Sequence, residues 1–221
     1  MDKAAVEGFA HERRLMVEEQ IIARGIRDDR VLSAFRAVPR HLFVPQRHRD
    51  EAYEDHPISI GSGQTISQPY IVAYMSEQLC VSPEATVLEI GTGSGYQAAV
   101  LGALAAKVVT IEAVEVLYRR AKRLLDSLGY GNIACYYGDG YTGAGEIHAF
   151  DRIMITAAAP RIPKPLVSLL KDGGSMILPV GAAYGYQELV SVERRGKEIV
   201  TRSLLGVRFV PMTGKIRRIE K

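Results

Sequence analysis

The chain has 221 residues, of which 47% are hydrophobic and 24% charged, and this usage excludes a disordered or fibrous protein. Its formal net charge is only +3 and its basic residues are scattered, which disfavours a nucleic-acid binder. No apolar run approaches the roughly 18 residues of a membrane span, the first residues lack the apolar core of a signal peptide, and two cysteines are too few for a disulfide framework. We therefore expect a cytoplasmic protein that binds neither nucleic acid nor membrane, and we also expect it to be a monomer.

The first 45 residues are predicted to be helical. Residues 9–24 carry apolar side chains among charged ones, and Gly25 is placed to cap the end of this helix. A second helix is predicted to begin at Asp28 and to end before Pro39, because proline cannot continue a helix. A third helix is predicted to begin near Gln68.

Residues 46–66, between the second and third helices, have no helical period and are predicted to form a long loop. A loop of this length inside a compact chain is usually functional. Apolar Ile58, Ile60 and Ile66 indicate that the loop packs against the rest of the protein.

From Ala85 onward, predicted strands and helices alternate. The predicted helices cover residues 95–105 and 114–128. The predicted strands cover residues 86–90, 108–111, 133–137, 152–156, 176–180, 189–193 and 204–210. This alternation is typical of an α/β fold with a doubly wound, mostly parallel sheet, and we expect the last two strands to form an antiparallel edge.

The strongest local signal follows the first strand of this sheet. Glycines at positions 91, 93 and 95 form a GxGxG turn, and Glu89 precedes it by two residues. Glycines let the backbone turn tightly and approach a ligand above the helix N-terminus. A dinucleotide fingerprint is GxGxxG, so a nucleotide-dependent dehydrogenase is disfavoured. An acid before GxGxG is typical of S-adenosylmethionine-dependent methyltransferases, because their ligand carries an ammonium group that a carboxylate neutralises.

Two further acids follow the next two strands. Glu112 ends the second strand, where an acid binds ribose hydroxyls in such folds. Asp139 follows the third strand between Gly138 and Gly140, where a carboxylate can accept a hydrogen bond from an adenine amino group. Either acid alone is more often a solvated turn residue. Together with Glu89 they predict a nucleoside ligand, because the ends of all three parallel strands open into one crevice.

The segment after the fourth strand bears on which chemical group the enzyme methylates. Residues 156–160 read Thr-Ala-Ala-Ala-Pro, whereas methyltransferases of nucleic-acid amines carry an acidic or Asn-Pro-Pro-aromatic motif at this place. The small apolar side chains therefore disfavour methylation of a nucleobase amine. The five histidines show no metal-ligand spacing and CxxC does not occur, so we expect no metal.

Several motifs together make the chain resemble the protein-L-isoaspartate O-methyltransferase family, which belongs to the protein-carboxyl methyltransferases. The matching stretches span residues 9 to about 214, nearly the whole chain. They are residues 38–45, 52–55, 63–67 with Pro69, 87–96, 138–140, 157–160, 178–181 and 209–213. The glycine turn is common to many methyltransferases, whereas Gln-Thr-Ile-Ser at 64–67 and Pro-Met-Thr at 211–213 are more specific.

The resemblance implies a fold of the S-adenosylmethionine-dependent methyltransferase type and a protein-repair activity. Such an enzyme moves a methyl group from S-adenosyl-L-methionine to the free α-carboxylate of L-isoaspartyl residues in damaged proteins and peptides, leaving S-adenosyl-L-homocysteine. The ester then closes to a succinimide, which hydrolyses in part to aspartate. The resemblance also implies that Ser67 is the active-site residue. It implies that residues 64–67, which include Gln64, Thr65 and Ile66, contact both the cofactor and the substrate, and it implies further cofactor contacts from Glu112, Gly138, Asp139 and Thr213.

The chemistry of the isoaspartyl group suits a site that positions its substrate. An α-carboxylate is ionised at pH 7 and needs no general base, so alignment is the main task of the enzyme. The Ser67 hydroxyl can donate to that carboxylate, but from the residues alone it can also cap the third helix. We expect one domain over residues 1–221, with an N-terminal helical and substrate-loop region over 1–80 and a cofactor-binding α/β region over 81–221. A small-molecule or nucleic-acid methyltransferase and a non-catalytic cofactor-binding adaptor remain alternatives.

Overall fold

The structure, a computed structural model, describes residues 8–142, 149–183 and 185–214. The β-strands in these residues are β1 Ile58–Gly61, β2 Gln64–Ile66, β3 Thr86–Ile90, β4 Lys107–Glu112, β5 Ile133–Tyr137, β6 Phe150–Ile155, β7 Leu170–Gly181, β8 Gln187–Arg195 and β9 Glu198–Val207. The α-helices are α1 Ala10–Leu15, α2 Asp29–Ala37, α3 Pro69–Gln78, α4 Tyr96–Leu104, α5 Glu115–Ser127 and α6 Lys164–Val167. The tail after Gly214 lies outside the described residues.

Strands β3 to β9 form one sheet in the order β5-β4-β3-β6-β7-β8-β9. The pairs from β5 to β7 are parallel, and β8 and β9 add to the edge as antiparallel strands. The predicted doubly wound, mostly parallel sheet with an antiparallel C-terminal edge is confirmed. The chain moves outward from β3 to β5 and returns across β3 to β6, so the strand order reverses between β3 and β6. Open α/β sheets bind their ligands at the carboxyl ends of the strands beside such a reversal.

The central strand β3 is buried on both sides, as expected for a parallel strand between two layers of helices. Val87 belongs to a core that also contains the N-terminal helices and α4. Leu88, whose side chain points to the other face, belongs to a second core with α6 and Met212. The N-terminal region therefore packs against one face of the sheet.

The first helix ends where the sequence predicts. It continues from α1 through a π-helical stretch, Met16–Ile21, and a short 3-10 stretch, Ile22–Arg24. Gly25 then adopts a φ of +97° and donates its N–H to the carbonyl of Ile22 at 3.0 Å. The carboxylate of Asp28 accepts the N–H of Arg30 at 2.8 Å and so caps α2 as predicted.

The prediction of a loop over residues 46–66 is wrong, because this segment contains the β1–β2 hairpin. Ile58 and Ile66 pair across it, and all three of its isoleucines are buried. The turn at Gly61, Ser62 and Gly63 has φ values of 90°, 53° and 69°. Such a left-handed turn suits the two glycines and reverses the chain within a few residues. Strands of only four and three residues gave too little alternation for a strand prediction.

Three smaller differences concern the second half of the chain. The short helix α6 was not predicted, and β7 and β8 are longer than expected. The last strand, predicted over 204–210, instead covers Glu198–Val207, so the prediction of a strand at 208–210 is wrong. Within the described parts of the chain, no helix is long and apolar enough to cross a membrane.

Candidate functional site

A cavity opens at the carboxyl ends of the central strands, where the strand order reverses. Its empty space is about 870 Å³, counting the part open to solvent. Its walls come mainly from residues 64–67, 90–94, 111–114 and 209–213. The site therefore combines the exit of the hairpin, the glycine turn, the end of β4 and the C-terminal segment.

The glycine turn is held from both neighbouring strands. Gly91 has a φ of +98° and donates its N–H to the carbonyl of Ile111 at 2.8 Å. The hydroxyl of Thr156, at the end of β6, donates to the Gly91 carbonyl at 2.6 Å. A Cβ at Gly91 would lie 2.5 Å from that hydroxyl oxygen. Position 91 therefore requires glycine both for its backbone angle and for the close approach of Thr156.

Glu112 ends β4 with its carboxylate fixed at the cavity wall. One oxygen, Oε2, accepts the N–H of Gly93 at 2.7 Å, and the other, Oε1, accepts the N–H of Val114 at 2.9 Å. Each carboxylate oxygen has a second lone pair, so the group can accept further hydrogen bonds from a ligand. Glu112 lines the cavity at the place where the sequence predicts an acceptor for ribose hydroxyls.

Glu89 lies behind the glycine turn and is not among the residues that line the cavity. Its Oε2 accepts the Thr110 hydroxyl at 2.5 Å, and Thr110 is 2.6 Å from the hydroxyl of Thr92, which does line the cavity. Its Oε1 is buried and has no hydrogen-bond partner among the described residues. Burial raises the pKa of Glu89 to about 8, so the side chain is mainly neutral at pH 7. Its predicted attraction for a ligand ammonium stays a prediction.

The remaining predicted residues of the α/β region lie beside the cavity. Gly95 precedes α4 with a φ of +89°, and a Cβ there would lie 3.3 Å from Leu125 of α5. The carboxylate of Asp139 accepts the N–H of Tyr141 at 3.0 Å. A Cβ at Gly138 would meet open space, whereas one at Gly214 would lie 2.5 Å from Asp139 Oδ1.

Ser67 lies between β2 and α3 and lines the cavity. The N-cap residue of α3 is Gln68, and no side chain caps this helix. In the part of the chain that the structure describes, the Ser67 hydroxyl makes no hydrogen bond, so the helix-cap alternative is wrong. Its carbonyl accepts a hydrogen bond from Arg40 Nη2 at 2.8 Å. The hydroxyl is therefore available to a ligand while the backbone behind it is held.

The hairpin lies against the glycine turn. Ile60 is buried, and its Cδ1 is the nearest atom, at 3.6 Å, to a Cβ placed on Gly93. Arg120 of α5 donates to the carbonyl of Ile60 at 3.1 Å. These contacts join residues that are far apart in the sequence, and they place Gln64, Thr65 and Ile66 in the cavity wall.

The C-terminal segment is fixed by a buried glutamine and by the chain after β6. The Gln187 amide accepts the N–H of Phe209 at 2.6 Å and donates to the Phe209 carbonyl at 3.1 Å, as a neighbouring strand would. Ala158 donates to the carbonyl of Val210 and accepts from the N–H of Met212, both at 2.8 Å. Thr213 follows directly and lines the cavity as predicted.

The structure brings together eight of the twelve predicted site residues. Those that line the cavity are Gln64, Thr65, Ile66, Ser67, Gly91, Gly93, Glu112 and Thr213. Those that lie outside the lining are Glu89, Gly95, Gly138 and Asp139. Lining residues that were not singled out as site residues include Thr92, Ser94, Tyr96, Gln97, Gly140, Thr156 and Phe209. Several of them belong to motifs noted in the sequence, but only the fold shows which face the cavity. Among the described residues, no group of three or more His, Cys, Asp or Glu could hold a metal ion.

Comparison with known proteins gives consistent matches over nearly the whole chain. Residues 11–217 match the family described as Protein-L-isoaspartate(D-aspartate) O-methyltransferase (PCMT). The chain is 54% identical over 208 residues to protein-L-isoaspartate O-methyltransferase 2 of Shewanella sediminis, with 94% of this chain and 85% of the relative covered. It is 51% identical to the protein of the same name from Pelobacter propionicus, with 97% of this chain and 96% of the relative covered.

Solved structures agree with these matches. A protein-L-isoaspartate O-methyltransferase superposes with a TM-score of 0.84 at 28% identity, covering 92% of this chain and 67% of that one. A structure assigned to the same activity from Plasmodium falciparum, in complex with S-adenosyl-L-homocysteine, gives a TM-score of 0.79 at 25% identity, covering 91% and 98%.

Proposed function

Because the chain belongs to the protein-L-isoaspartate(D-aspartate) O-methyltransferase family, we propose that its cavity presents an isoaspartyl carboxylate to S-adenosyl-L-methionine beside Ser67. The resemblance found in the motifs is confirmed. The chain is an S-adenosyl-L-methionine-dependent enzyme of protein repair. The observation that carries the proposal is the meeting of the Ser67 hydroxyl and the Glu112 carboxylate in one cavity.

The residues of the α/β region fit the cofactor. The second lone pairs of the Glu112 carboxylate suit ribose hydroxyls, which are hydrogen-bond donors. The glycine turn at 91–93 leaves the backbone bare on the cavity side, and we assign it to the methionine portion of the ligand. We assign Gly138, Asp139 and Gly140 to the adenine, because they follow β5 at the same edge of the sheet. When bound, the cofactor supplies a sulfonium methyl group.

The chain's own contribution to the reaction is to position the substrate. An isoaspartyl α-carboxylate has a pKa of about 3.5 and already carries the electron pair that a methyl acceptor needs. Among the described residues that line the cavity, the titratable ones are Glu112 and Tyr96. Burial raises the pKa of Tyr96, and Glu112 is occupied with backbone amides, so neither is placed as a general base. The Ser67 hydroxyl donates to one carboxylate oxygen and so fixes which oxygen faces the methyl group.

Selectivity for isoaspartate has to come from backbone contacts. A normal β-carboxylate and an isoaspartyl α-carboxylate have similar charge and pKa, but their positions relative to the peptide backbone differ by one methylene. Segments 64–67 and 209–213 line the same cavity, and we assign to them the contacts that place the substrate backbone. A misplacement of about 1 Å can reduce the rate a hundredfold, which is enough to exclude normal aspartate.

We also propose that the enzyme acts as a single-domain monomer in the cytoplasm and does not bind nucleic acid. One hydrophobic core includes residues of both the N-terminal and the α/β regions, which supports a single domain. Cys80 and Cys135 are free thiols, and this suits a reducing compartment. The small, scattered positive charge supports the absence of nucleic-acid binding.

The test uses a pair of peptides that differ only in having isoaspartate or normal aspartate at one position. We expect transfer of labelled methyl groups to the isoaspartyl peptide and almost none to its twin. Comparable methylation of both would indicate a general carboxyl methyltransferase. Binding of S-adenosyl-L-homocysteine without methylation of either peptide would favour a non-catalytic adaptor.

A further inference from the structure

Arg40 is a completely buried side chain directly behind Ser67. Its guanidinium donates from Nε to the carbonyl of Ala52 at 2.7 Å and from Nη2 to the carbonyl of Ser67 at 2.8 Å. Its Cζ lies 4.9 Å from the centroid of the Tyr96 ring, and Tyr96 lines the cavity. Its Nη1 is buried and has no hydrogen-bond partner among the described residues.

Among the residues that the structure describes, no acid balances the charge of this guanidinium. Burial lowers the pKa of Arg40 to about 10, so the group is still a cation at pH 7. In residues 8–142, 149–183 and 185–214, no carboxylate forms an ion pair with it. Its hydrogen bonds to Ala52 and Ser67 go to neutral carbonyls, and the Tyr96 hydroxyl, which also raises the pKa of Arg40, is uncharged at pH 7. A buried charge without a counter-charge is unfavourable, and its field extends far in a medium of low dielectric constant.

We propose that Arg40 is a positioning residue whose buried positive charge favours an anionic substrate group at Ser67. The inference rests on the proposed function, which brings a carboxylate to the hydroxyl of Ser67. The guanidinium donates to the carbonyl of Ser67 itself, and the neighbouring Tyr96 ring lines the cavity. Arg40 therefore has two effects: it holds the Ser67 backbone in place, and it supplies a positive potential that the carboxylate partly neutralises.

Two peptides separate these effects from a merely structural role. One carries an isoaspartyl residue with its free α-carboxylate, and the other carries the neutral α-carboxamide at the same position. Their affinities are measured as inhibition or binding in the presence of S-adenosyl-L-homocysteine. For the unmodified enzyme we expect the anionic peptide to bind about tenfold more tightly or better, as expected for charges separated by about 10 Å at an effective dielectric constant near 20.

Replacing Arg40 by methionine keeps the length of the side chain and removes its charge. For Arg40→Met we expect the preference for the anionic peptide to fall below about threefold, with the affinity for S-adenosyl-L-homocysteine unchanged. Arg40→Lys, which keeps the charge, should restore most of the preference. The matched control is Arg152→Met, because Arg152 also donates to backbone carbonyls, those of Leu79 and Cys80, but at the far end of β6.

The proposal is wrong if Arg40→Met keeps the full preference, or if it weakens both peptides and S-adenosyl-L-homocysteine equally. If Arg40→Met does not fold, the preference for the anionic peptide is measured in Ser67→Ala instead. With Arg40 intact, this variant should still prefer the anion several-fold, and equal binding of the two peptides would exclude a contribution from the charge. Failure of the proposed function is a different result, since the unmodified enzyme would then not methylate the isoaspartyl peptide at all.

Discussion

The glycine turn and the β1–β2 hairpin line the same cavity, but different kinds of contact hold them. At the turn, short polar contacts join neighbouring strand ends, as when Glu112 accepts the N–H groups of Gly93 and Val114. At the hairpin, long cationic side chains reach backbone carbonyls from 27 and 60 residues away, Arg40 to Ser67 and Arg120 to Ile60. The side of the cavity that we assign to the cofactor (the cofactor side) is therefore part of the sheet, whereas the hairpin, which belongs to the side that we assign to the substrate (the substrate side), is attached to it. We expect changes on the two sides to affect cofactor affinity and turnover separately.

The largest effect is expected for Gly91→Ala on the cofactor side. Its positive φ and the displacement of Thr156 should together lower the free energy of unfolding by about 3 kcal/mol and weaken S-adenosyl-L-homocysteine binding by about a hundredfold or more. Gly129→Ala is the matched control, because Gly129 has a φ of +81° but nothing within 4 Å of a Cβ. In Gly129→Ala the free energy of unfolding should fall by only about 1 kcal/mol, and S-adenosyl-L-homocysteine should bind normally. Equal effects of the two changes, measured by chemical unfolding and calorimetry, would contradict the role of the Thr156 contact.

Glu89→Gln tests whether the buried carboxyl group of Glu89, on the cofactor side, is protonated and neutral in the folded protein. The pKa of Glu89 is raised to about 8 from an ordinary value of 4.5, so the folded state keeps a proton that the unfolded state loses. Its contribution to stability is complete below about pH 4.5 and is lost as the pH rises towards and through 8. Between pH 6 and pH 9, the free energy of unfolding of the unmodified protein should fall by on the order of 2 kcal/mol more than that of Glu89→Gln. Parallel pH profiles in urea unfolding would show that Glu89 is not neutral in the fold.

Ser67→Ala should affect the substrate side alone. Loss of a hydrogen bond to a charged group should reduce kcat/KM for an isoaspartyl peptide by about 10- to 30-fold. Stability and S-adenosyl-L-homocysteine affinity should not change, because the hydroxyl makes no hydrogen bond within the described residues. Ser59→Ala, on the exposed face of β1 in the same hairpin, is the control and should retain normal turnover. A fall in melting temperature that accounts for the lost activity would instead assign Ser67 a structural role.

Glu112→Gln should affect the cofactor side alone, and its effect should be smaller than that of Ser67→Ala on turnover. The amide oxygen can still accept one hydrogen bond, but the charge is lost, so we expect S-adenosyl-L-homocysteine to bind about tenfold more weakly. Glu115→Gln is the control, since Glu115 is exposed and pairs with Arg119 outside the cavity. Calorimetry measures both. Unchanged affinity in Glu112→Gln would remove this carboxylate from the ribose assignment.

The same difference explains which parts of the site could be predicted from the sequence. Glu112 and Gly91 stand at the ends of clear buried strands, so their meeting at one edge of the sheet follows from the α/β pattern. The hairpin could not be predicted in this way, because its strands are short and its turn depends on three successive positive φ angles. Arg40 lies in a recognised motif, but nothing local shows that it reaches the carbonyl of Ser67.

Burial is the other property that the local pattern did not reveal. Glu89 was predicted as a charged neighbour of the ligand, and its position before the glycines is as expected. Its side chain is completely buried, and Thr110 of β4 is its cross-strand partner and hydrogen-bond donor. Gln187 had no recognisable signal at all, although it fixes the backbone of Phe209 through two hydrogen bonds.

The arrangement of the sheet has a consequence for the order in which the molecule folds. Strands β7, β8 and β9 follow one another in antiparallel pairs with short connections, so their contacts close small loops. The pairing of β3 with β6 instead joins residues 65 positions apart, such as Ile90 and Ile155. Local contacts form at a lower entropic cost, so we expect the three late strands to form before the central parallel pair. The cavity, which needs residues from 64 to 213, is then completed at the end of folding, and recovery of cofactor binding during refolding should lag behind the formation of secondary structure.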